Sequence, residues 1–307
     1  MAPAVEITDA SVRFGPTQAL RDLTWTVHPG QITALLGPNG AGKSTTMALI
    51  SGLLAPNSGR VTVLGGPAGR LMARARLGVM LQEGGIPTGA TGPSIVRHHA
   101  ELRGAPQTAA ALIEELSIAE LGRTTFRRMS GGQRKRVALA CALVGDPDMV
   151  IVDEPTANLD PAARRQTWDL LDRLRRSGVT VILSTHDLEE AERLGDRIAI
   201  MDQGQLVIEG SPADLIGEGA DAVIIEGPLR LDLTALREVL PDIFSVAEIL
   251  PGRYRIDGQI QPPHVAIISA WAGQHGIPGE RMRIGTPTLE DLYFSATTDG
   301  ASSGRRP

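Results

Sequence analysis

Apolar and polar residues alternate at the start of the chain, whereas later apolar residues form continuous runs. Val5 and Ile7, and then Leu23, Trp25 and Val27, show the period of two that indicates half-buried strands. Four later runs predict strands that are buried on both faces, namely QITALLG, LGVMLQ, MVIVDEP and TVILSTHD. Helical segments separate these runs. The alternation predicts an α/β fold with a mostly parallel sheet, whose functional loops gather at the carboxyl ends of the strands.

A different pattern follows the polar stretch GEGADA, after a predicted hairpin around Gly204. We predict, in order, strand 222–226, helix 233–240, a hairpin around 251–252, helix 265–275 and strand 281–284. The order β-α-β-β-α-β is that of a ferredoxin-like domain. We therefore expect three parts: a large domain over 1–217, a small α/β domain over 220–287, and a short helix with a disordered tail over 288–307.

The composition disfavours several classes of protein. The net charge of −5 does not favour a nucleic-acid binder, which usually carries a basic excess. A single cysteine, Cys141, cannot form a disulfide within the chain, which fits a reducing compartment. We expect no signal peptide and no transmembrane segment, because no basic start precedes an apolar run and no apolar run approaches about 18 residues. A role at a membrane would therefore need a partner protein.

The segment GPNGAGKST carries the first candidate chemistry. Gly37, Gly42, Lys43 and Ser44 match the pattern G-x-x-x-x-G-K-[ST]. The glycines let backbone N–H groups face a phosphate, and the following helix adds its positive amino-terminal end. Lys43 can reach the β- and γ-phosphates, and the Ser44 hydroxyl can bind Mg²⁺. The pattern alone leaves kinases, GTPases, helicases and transport ATPases open.

The strand MVIVDEP adds two acidic residues. Asp153 and Glu154 stand at the carboxyl end of this apolar run. Asp153 can hold Mg²⁺ through water, as P-loop enzymes require. Glu154 can polarise a water molecule for attack on the γ-phosphate. The two residues could simply be solvated acids at the end of a strand. Because they follow a buried strand in a chain that also has a phosphate loop, a role in nucleotide hydrolysis is favoured.

Five motifs in order resemble the nucleotide-binding domain of an ABC transporter ATPase: Gly37–Thr45, Gln82, Ser130–Gln133, Asp153 with Glu154, and His186. Ser130 lies 87 residues after Lys43, Asp153 lies 23 after Ser130, and His186 lies 33 after Asp153. The similarity covers about residues 4–217. Met129 departs from the family by replacing the usual leucine before SGGQ, which conserves volume.

The resemblance implies roles for individual residues. Glu154, His186 and Gln82 are the implied catalytic residues, and Ser44, Gln82 and Asp153 the implied Mg²⁺ ligands. The implied ATP-binding residues are Phe14, which stacks on adenine, Gly37, Pro38, Asn39, Gly40, Ala41, Gly42, Lys43, Ser44, Thr45, Ser130, Gly131, Gly132, Gln133 and Asp160. In such proteins the SGGQ turn caps the ATP of a second subunit, which explains why one chain carries two glycine turns.

The likeness is to subunits of drug and antibiotic exporters that work with a separate membrane protein. TPTLEDLYF, at 286–294, resembles their carboxyl-terminal signature. The resemblance therefore implies an ATP- and Mg²⁺-dependent ATPase at the cytoplasmic face of the cell membrane. Its expected partners are an integral-membrane permease and a second ATPase subunit, which we expect to be an identical copy, and nucleic acid is not among them. Importer ATPases can also carry a carboxyl-terminal domain, usually a β-rich barrel, which the predicted hairpin and two helices disfavour.

Two other classes compete with this interpretation. A non-transport ABC ATPase would act on ribosomes or nucleic acid. Members that act on DNA insert long coiled coils before the signature, and members that act on ribosomes usually carry two cassettes; the 87-residue spacing and the single cassette disfavour both. A free-standing P-loop kinase or GTPase would not need the SGGQ turn.

Overall fold

A computed structural model describes residues 2–81, 86–216, 222–241, 243–285 and 288–302. Gln82, Thr286 and Pro287 lie outside the described residues. The chain forms two compact units that divide between Glu209 and Gly210. Among the described residues, no helix combines the length and the apolar character needed to cross a lipid bilayer.

The first unit contains the strands β1 (Val5–Phe14), β2 (Thr17–Val27), β3 (Ile32–Leu36), β4 (Ser58–Val63), β5 (Gly66–Pro67), β6 (Leu77–Met80), β7 (Met149–Asp153), β8 (Thr180–Ser184), β9 (Arg197–Asp202) and β10 (Gln205–Gly210). Its helices are α1 (Lys43–Ile50), α2 (Leu71–Ala75), α3 (Gly92–Leu102), α4 (Thr108–Glu115), α5 (Gly131–Leu143), α6 (Pro161–Arg176) and α7 (Leu188–Leu194).

Two sheets organise this unit. The antiparallel strands form one sheet in the order β2-β1-β4-β5, and the other sheet has the order β10-β9-β3-β8-β7-β6. In the second sheet β6, β7, β8, β3 and β9 pair in parallel. The carboxyl ends of β3, β7 and β8 therefore meet at one edge, where the sequence places its phosphate loop, its acidic pair and His186.

Burial follows the sequence pattern. Every residue of β3, β7 and β8 is buried, as the continuous apolar runs predict for strands covered on both faces. In β1 and β2 buried and exposed positions largely alternate, because only one face meets the core. Trp25, Met47 and Ile151 join these elements in one hydrophobic cluster. The core thus holds the antiparallel sheet, α1 and the parallel sheet together beneath the phosphate loop.

The second unit contains α8 (Pro212–Ile216), β11 (Ala222–Glu226), α9 (Thr234–Val239), β12 (Ser245–Leu250), β13 (Arg253–Asp257), α10 (Pro262–Gln274), β14 (Met282–Gly285) and α11 (Leu289–Ser302). Its antiparallel sheet has the order β12-β13-β11-β14. Tyr254, Ile268 and Trp271 lie in its core. Element order and sheet order match the predicted ferredoxin-like arrangement. The end of the predicted tail, 303–307, lies outside the described residues.

One buried carboxylate ties α11 to the sheet of this second unit. Asp291 is fully buried, and its oxygens lie 3.0 Å from an Arg253 nitrogen and 2.6 Å from an Arg283 nitrogen. It also accepts hydrogen bonds from the N–H and the hydroxyl of Thr288, both at 2.8 Å. Burial by itself would raise the pKa of Asp291, but the Thr288 hydrogen bonds and the two arginines outweigh it, so the pKa is lowered. Asp291 is therefore a structural residue of the TLEDLYF segment.

Candidate active site

The phosphate loop follows the buried strand β3 and leads directly into α1. Gly37 and Gly42 have positive φ angles of 154° and 107°. A Cβ at Gly37 would lie 2.4 Å from the Met201 carbonyl oxygen, and a Cβ at Gly42 would lie 2.7 Å from Leu20 Cδ2. Glycine alone fits both the angle and the space at these two positions. Close packing against β2 and β9 therefore sets the path of the loop.

Lys43, the first residue of α1, turns its ammonium group back over the loop. Its Nζ donates to the carbonyl oxygens of Gly37 at 2.6 Å and Pro38 at 3.1 Å. Burial lowers the pKa of Lys43, and the charges of Glu154 and Asp153 oppose that shift. Because the direct partners of the ammonium are neutral carbonyls, it can exchange them for the charged oxygens of a phosphate.

Ser44 and Asp153 bring two oxygen ligands together from different elements. Ser44 Oγ lies 3.4 Å from Asp153 Oδ2, and Ser184 Oγ donates to the other carboxylate oxygen of Asp153. The second contact follows from the register of β7 and β8, which pairs Asp153 with Ser184. Hydroxyl and carboxylate oxygens are the ligands that Mg²⁺ prefers. This corner of the site can therefore hold a divalent cation.

Glu154 and His186 face each other just beyond the ends of adjacent strands. His186 Nδ1 lies 2.8 Å from Glu154 Oε2 and 2.9 Å from Oε1. The Glu154 side chain is 13% exposed and that of His186 is 68% exposed. Glu154 adopts a left-handed backbone with φ 53°, and its N–H donates to the Ser184 carbonyl at 3.1 Å. A shielded carboxylate beside an exposed imidazole suits proton transfer to and from a bound water.

An open cleft of about 330 Å³ joins these groups. Its lining includes Phe14, Lys43, Ser44, Asp153 and Glu154. Phe14 ends β1, and 53% of its surface is exposed although it is a large apolar residue. An exposed ring offers a face on which a nucleobase can stack. The cleft therefore presents an aromatic face, a cation and two carboxylates to one ligand.

The second glycine turn begins α5. Ser130 and Gln133 form a capping box: Ser130 Oγ accepts from the Gln133 N–H at 3.2 Å, and the Ser130 N–H donates to Gln133 Oε1 at 2.9 Å. A Cβ at Gly131 would meet no atom within 4 Å, whereas a Cβ at Gly132 would lie 2.9 Å from Leu159 Cδ2. None of the described residues that line the cleft comes from this turn. Ser130 and Gly131 are both exposed, so this helix start is accessible from solvent.

Asp160, an ATP-binding residue implied by the resemblance, caps α6 in the single chain. Its carboxylate accepts the N–H groups of Ala162 and Ala163, both at 3.0 Å. These two hydrogen bonds, that of Ala163 first, lower the pKa of Asp160. Asn158, two residues earlier, has a left-handed backbone with φ 62°. The loop shape therefore comes from a local cap at the start of α6.

Comparisons with known proteins agree with this geometry. Residues 20–157 match the ABC transporter family. A Nod factor export ATP-binding protein of Ralstonia nicotianae is 32% identical over 96% of this chain and 94% of its own length. A daunorubicin resistance ATP-binding protein of Streptomyces coeruleorubidus is 32% identical over 96% of both chains.

This chain belongs to the ABC transporter family. A solved ATP-binding subunit of an ABC transporter, 28% identical, superposes with a TM-score of 0.64 over 69% of this chain and 91% of its own length. The predicted family and the mixed α/β fold class are confirmed. As a member of the ABC family, the protein binds and hydrolyses ATP.

Sequence reasoning did not identify every residue that shapes this ABC site. Ser184 holds both Asp153 and the Glu154 N–H, and its position at the end of β8 could have indicated it. Lys135 donates to the Glu154 carbonyl oxygen. Its only signal was rarity, because this arginine-rich chain contains two lysines. Gln82, predicted as a catalytic residue and Mg²⁺ ligand, lies outside the described residues.

Proposed function

We propose that this chain is the ATP-hydrolysing subunit of an exporter and that it powers transport of a drug-like or antibiotic compound through a separate membrane permease. The hydrolytic part rests on the carboxylate–imidazole contact between Glu154 and His186, because Glu154 also lines the cleft together with Lys43. The full-length likeness to the Nod factor export and daunorubicin resistance proteins supports export.

Each group in the cleft has a proposed task. Loop amides and Lys43 hold the phosphates, and Phe14 stacks on the base. Ser44 and Asp153 would hold Mg²⁺, and Gln82, which lies outside the described residues, is the third proposed ligand; hydroxyl, carboxylate and amide oxygens suit that ion. When bound, Mg²⁺ neutralises charge on the phosphates.

Hydrolysis then needs a base and a stabilised phosphate. Glu154 accepts the proton of the attacking water, and His186 fixes the direction of that carboxylate and contacts the γ-phosphate. Lys43 stabilises the negative charge on the transferred group. The 13% exposure of Glu154 limits competition from bulk water for its carboxylate.

A second copy of the chain completes each site in this proposal. The Ser130–Gln133 turn offers the start of a 13-residue helix whose N–H groups and dipole favour an anion. Since this turn is not part of the lining of the chain's own cleft, it would reach the γ-phosphate of ATP held by the partner copy. The Asp160 loop would lie between the two sites. ATP would then hold the two copies together, and hydrolysis would release them.

Glu154→Gln tests the catalytic assignment. The amide is nearly isosteric and cannot accept the proton, so ATP binding should persist while turnover falls by at least about 10²-fold. Steady-state ATPase activity and the ATP dissociation constant are measured on the same preparation. Glu189→Gln, an exposed glutamate on the nearby α7, is the control and should behave like wild type. Normal turnover in Glu154→Gln would remove Glu154 from the role of base.

Partner capture tests the export assignment. A tagged Glu154→Gln protein is trapped with Mg·ATP in its native host, gently solubilised from membranes and purified with whatever remains bound. A polytopic membrane protein in near-equal amount is the expected result, and it would show that the chain works at a membrane with a separate permease. Ribosomes or nucleic acid without a membrane protein would overturn export and favour the non-transport alternative.

A further inference from the structure

Lys135 connects two parts of the site that come from distant positions in the chain. It lies in the second turn of α5, the helix that Ser130 caps. Its Nζ donates to the backbone carbonyl oxygen of Glu154, and its side chain is half-buried. The hydrogen bond joins the helix behind the second glycine turn to the loop that leaves β7.

The choice of lysine at this position is unusual for this protein. The chain has 30 lysines and arginines, and all except Lys43 and Lys135 are arginines. Both lysines donate to backbone carbonyls of loops that border the ATP cleft. An ammonium is a compact charge on a flexible stem, whereas a guanidinium is planar and wider. A compact ammonium suits both positions, where it donates to main-chain carbonyls.

Two opposing effects act on the charge of Lys135. Burial lowers the pKa of Lys135, and the charges of Glu154, Glu190 and Asp153 act in the opposite direction. Three carboxylates therefore lie near enough to favour the ammonium. The carbonyl of Glu154 takes its hydrogen bond, so Lys135 acts on the main chain of the base and leaves the Glu154 carboxylate to His186.

The main chain of Glu154 needs such support. Its φ of 53° is left-handed, which is unfavourable for a residue with a Cβ. On one side the Glu154 N–H donates to the Ser184 carbonyl at 3.1 Å, and on the other side Lys135 holds the Glu154 carbonyl. The peptide groups on both sides of Glu154 are therefore held, which fixes the main chain from which its side chain reaches His186.

We propose that Lys135 is a positioning residue for ATP hydrolysis, which ties the general base Glu154 to the helix that the second glycine turn begins. This inference rests on the proposed function, because it takes Glu154 as the base. The first two turns of α5 then carry both the Ser130 cap, which would face the partner's ATP, and the lysine that holds the chain's own base. Docking of the turn on the partner's nucleotide would thereby steady Glu154 at the chain's own nucleotide.

Lys135→Met tests the proposal, since methionine keeps the apolar stem and removes the ammonium. On the full chain we measure kcat, KM, the ATP dissociation constant and the thermal midpoint. We expect kcat to fall about 10- to 100-fold, because a small misplacement of a catalytic group slows the chemical step by such factors. The ATP dissociation constant should change less than about threefold. Lys135→Arg keeps the charge and should recover part of the loss in kcat.

Arg136→Met is the matched control. Arg136 is the next residue of α5, is also half-buried, and donates to the carbonyls of Leu116 and Ser117, away from Glu154. The Arg136→Met variant should lose about as much side-chain packing as Lys135→Met, but its kcat should stay at the wild-type value. Three results would each overturn the proposal. The kcat of Lys135→Met could stay close to wild type, Arg136→Met could lose as much kcat, or Lys135→Met could lose ATP affinity in parallel with kcat.

Two further variants keep the result interpretable. Lys135→Gln, which retains a donor on a shorter stem, is judged by the same criteria if the methionine variant does not fold. Glu154→Gln is assayed in parallel. If Glu154→Gln is inactive and Lys135→Met is normal, only the positioning role fails. If Glu154→Gln itself turns over normally, the proposed base fails instead.

Discussion

His186 Nδ1 lies 2.8 Å from Glu154 Oε2, and this contact joins the loops that leave β8 and β7. The imidazole is mostly exposed while the carboxylate is mostly shielded, so the histidine borders the open side of the base. Their position follows from the parallel pairing of β7 with β8, which brings the two strand ends to one edge of the sheet.

Replacement of this histidine should reduce the rate of hydrolysis more than it reduces nucleotide binding. For His186→Ala we expect kcat to fall by about 10²-fold or more, because the Glu154 carboxylate loses the partner that orients it. His275→Ala serves as the control, since that imidazole contacts the Trp271 carbonyl in the second unit. ATPase rates and ATP binding are measured together. Equal kcat values for the two variants would contradict a role for His186 in the chemistry.

The phosphate loop should not tolerate a methyl group at Gly42. Its φ of 107° is strained for alanine, and the Cβ would lie 2.7 Å from Leu20 Cδ2. We expect Gly42→Ala to weaken ATP binding by about tenfold or more, since the loop must move to relieve the contact. Gly40→Ala in the same loop separates strain from contact, because Gly40 has φ 85° and no atom would lie within 4 Å of its Cβ. Titration with ATP compares the two, and matched affinities would refute the steric argument.

Glu190 should make the stability of the protein depend on pH. Burial raises the pKa of Glu190, although its carboxylate accepts hydrogen bonds from Thr156 Oγ1 at 2.7 Å and Trp168 Nε1 at 2.9 Å. A raised pKa means that the folded state keeps a proton that the unfolded state loses. The free energy of unfolding should therefore decrease as pH rises above the ordinary value of 4.5, up to the raised pKa.

Glu190→Gln removes this titration and provides the measurement. Urea unfolding is followed for both proteins at about pH 5 and about pH 8. Relative to wild type, the glutamine variant should gain stability as pH increases, because only wild type then loses the proton-linked contribution. A difference between the two proteins that does not change with pH would rule out the raised pKa.

Cys141 should be unreactive in the folded protein. It is the only cysteine of the chain, it lies on α5 with 9% exposure, and burial raises its pKa from 9.0 to about 12. The thiolate is the reactive form, so labelling by an aromatic disulfide at about pH 8 should be about 10³-fold slower in native protein than in urea. Rapid labelling without urea would show that α5 opens far more readily than this packing implies.

Asp291 should stabilise the second unit strongly. Asp291→Ala leaves the largely buried Arg253 without its carboxylate, and breaking a buried ion pair costs about 3–5 kcal/mol. Asp257→Ala is the control: its pair with Arg255 is partly exposed and is worth about 1 kcal/mol or less. Hydrogen exchange of the β11 and β13 amides reports on this unit alone. Equal exchange rates in the two variants would contradict the structural role of Asp291.

The chemistry of the site was largely readable from the sequence. Glycine and lysine spacing indicates the phosphate loop, because only glycine permits the backbone angles that direct N–H groups at a phosphate. Apolar runs that end in Asp153 and His186 place both residues at strand ends, since continuous burial is typical of a parallel sheet. The βαββαβ order of the second unit was also predictable, because each element carries its own period of apolar residues.

Contacts between segments that are distant along the chain required the tertiary structure. The strand register alone sets Ser184 opposite Asp153, and the packing of α5 near β7 alone brings Lys135 to the Glu154 carbonyl. The capping box of Ser130 with Gln133 forms between neighbouring residues. Whether this turn lines the chain's own cleft depends instead on how distant segments pack. The sequence by itself determined which chemical groups the protein carries and on which elements, because periodicity and turn chemistry are local. Only the tertiary structure decided which of these groups touch, because long-range packing depends on the whole core.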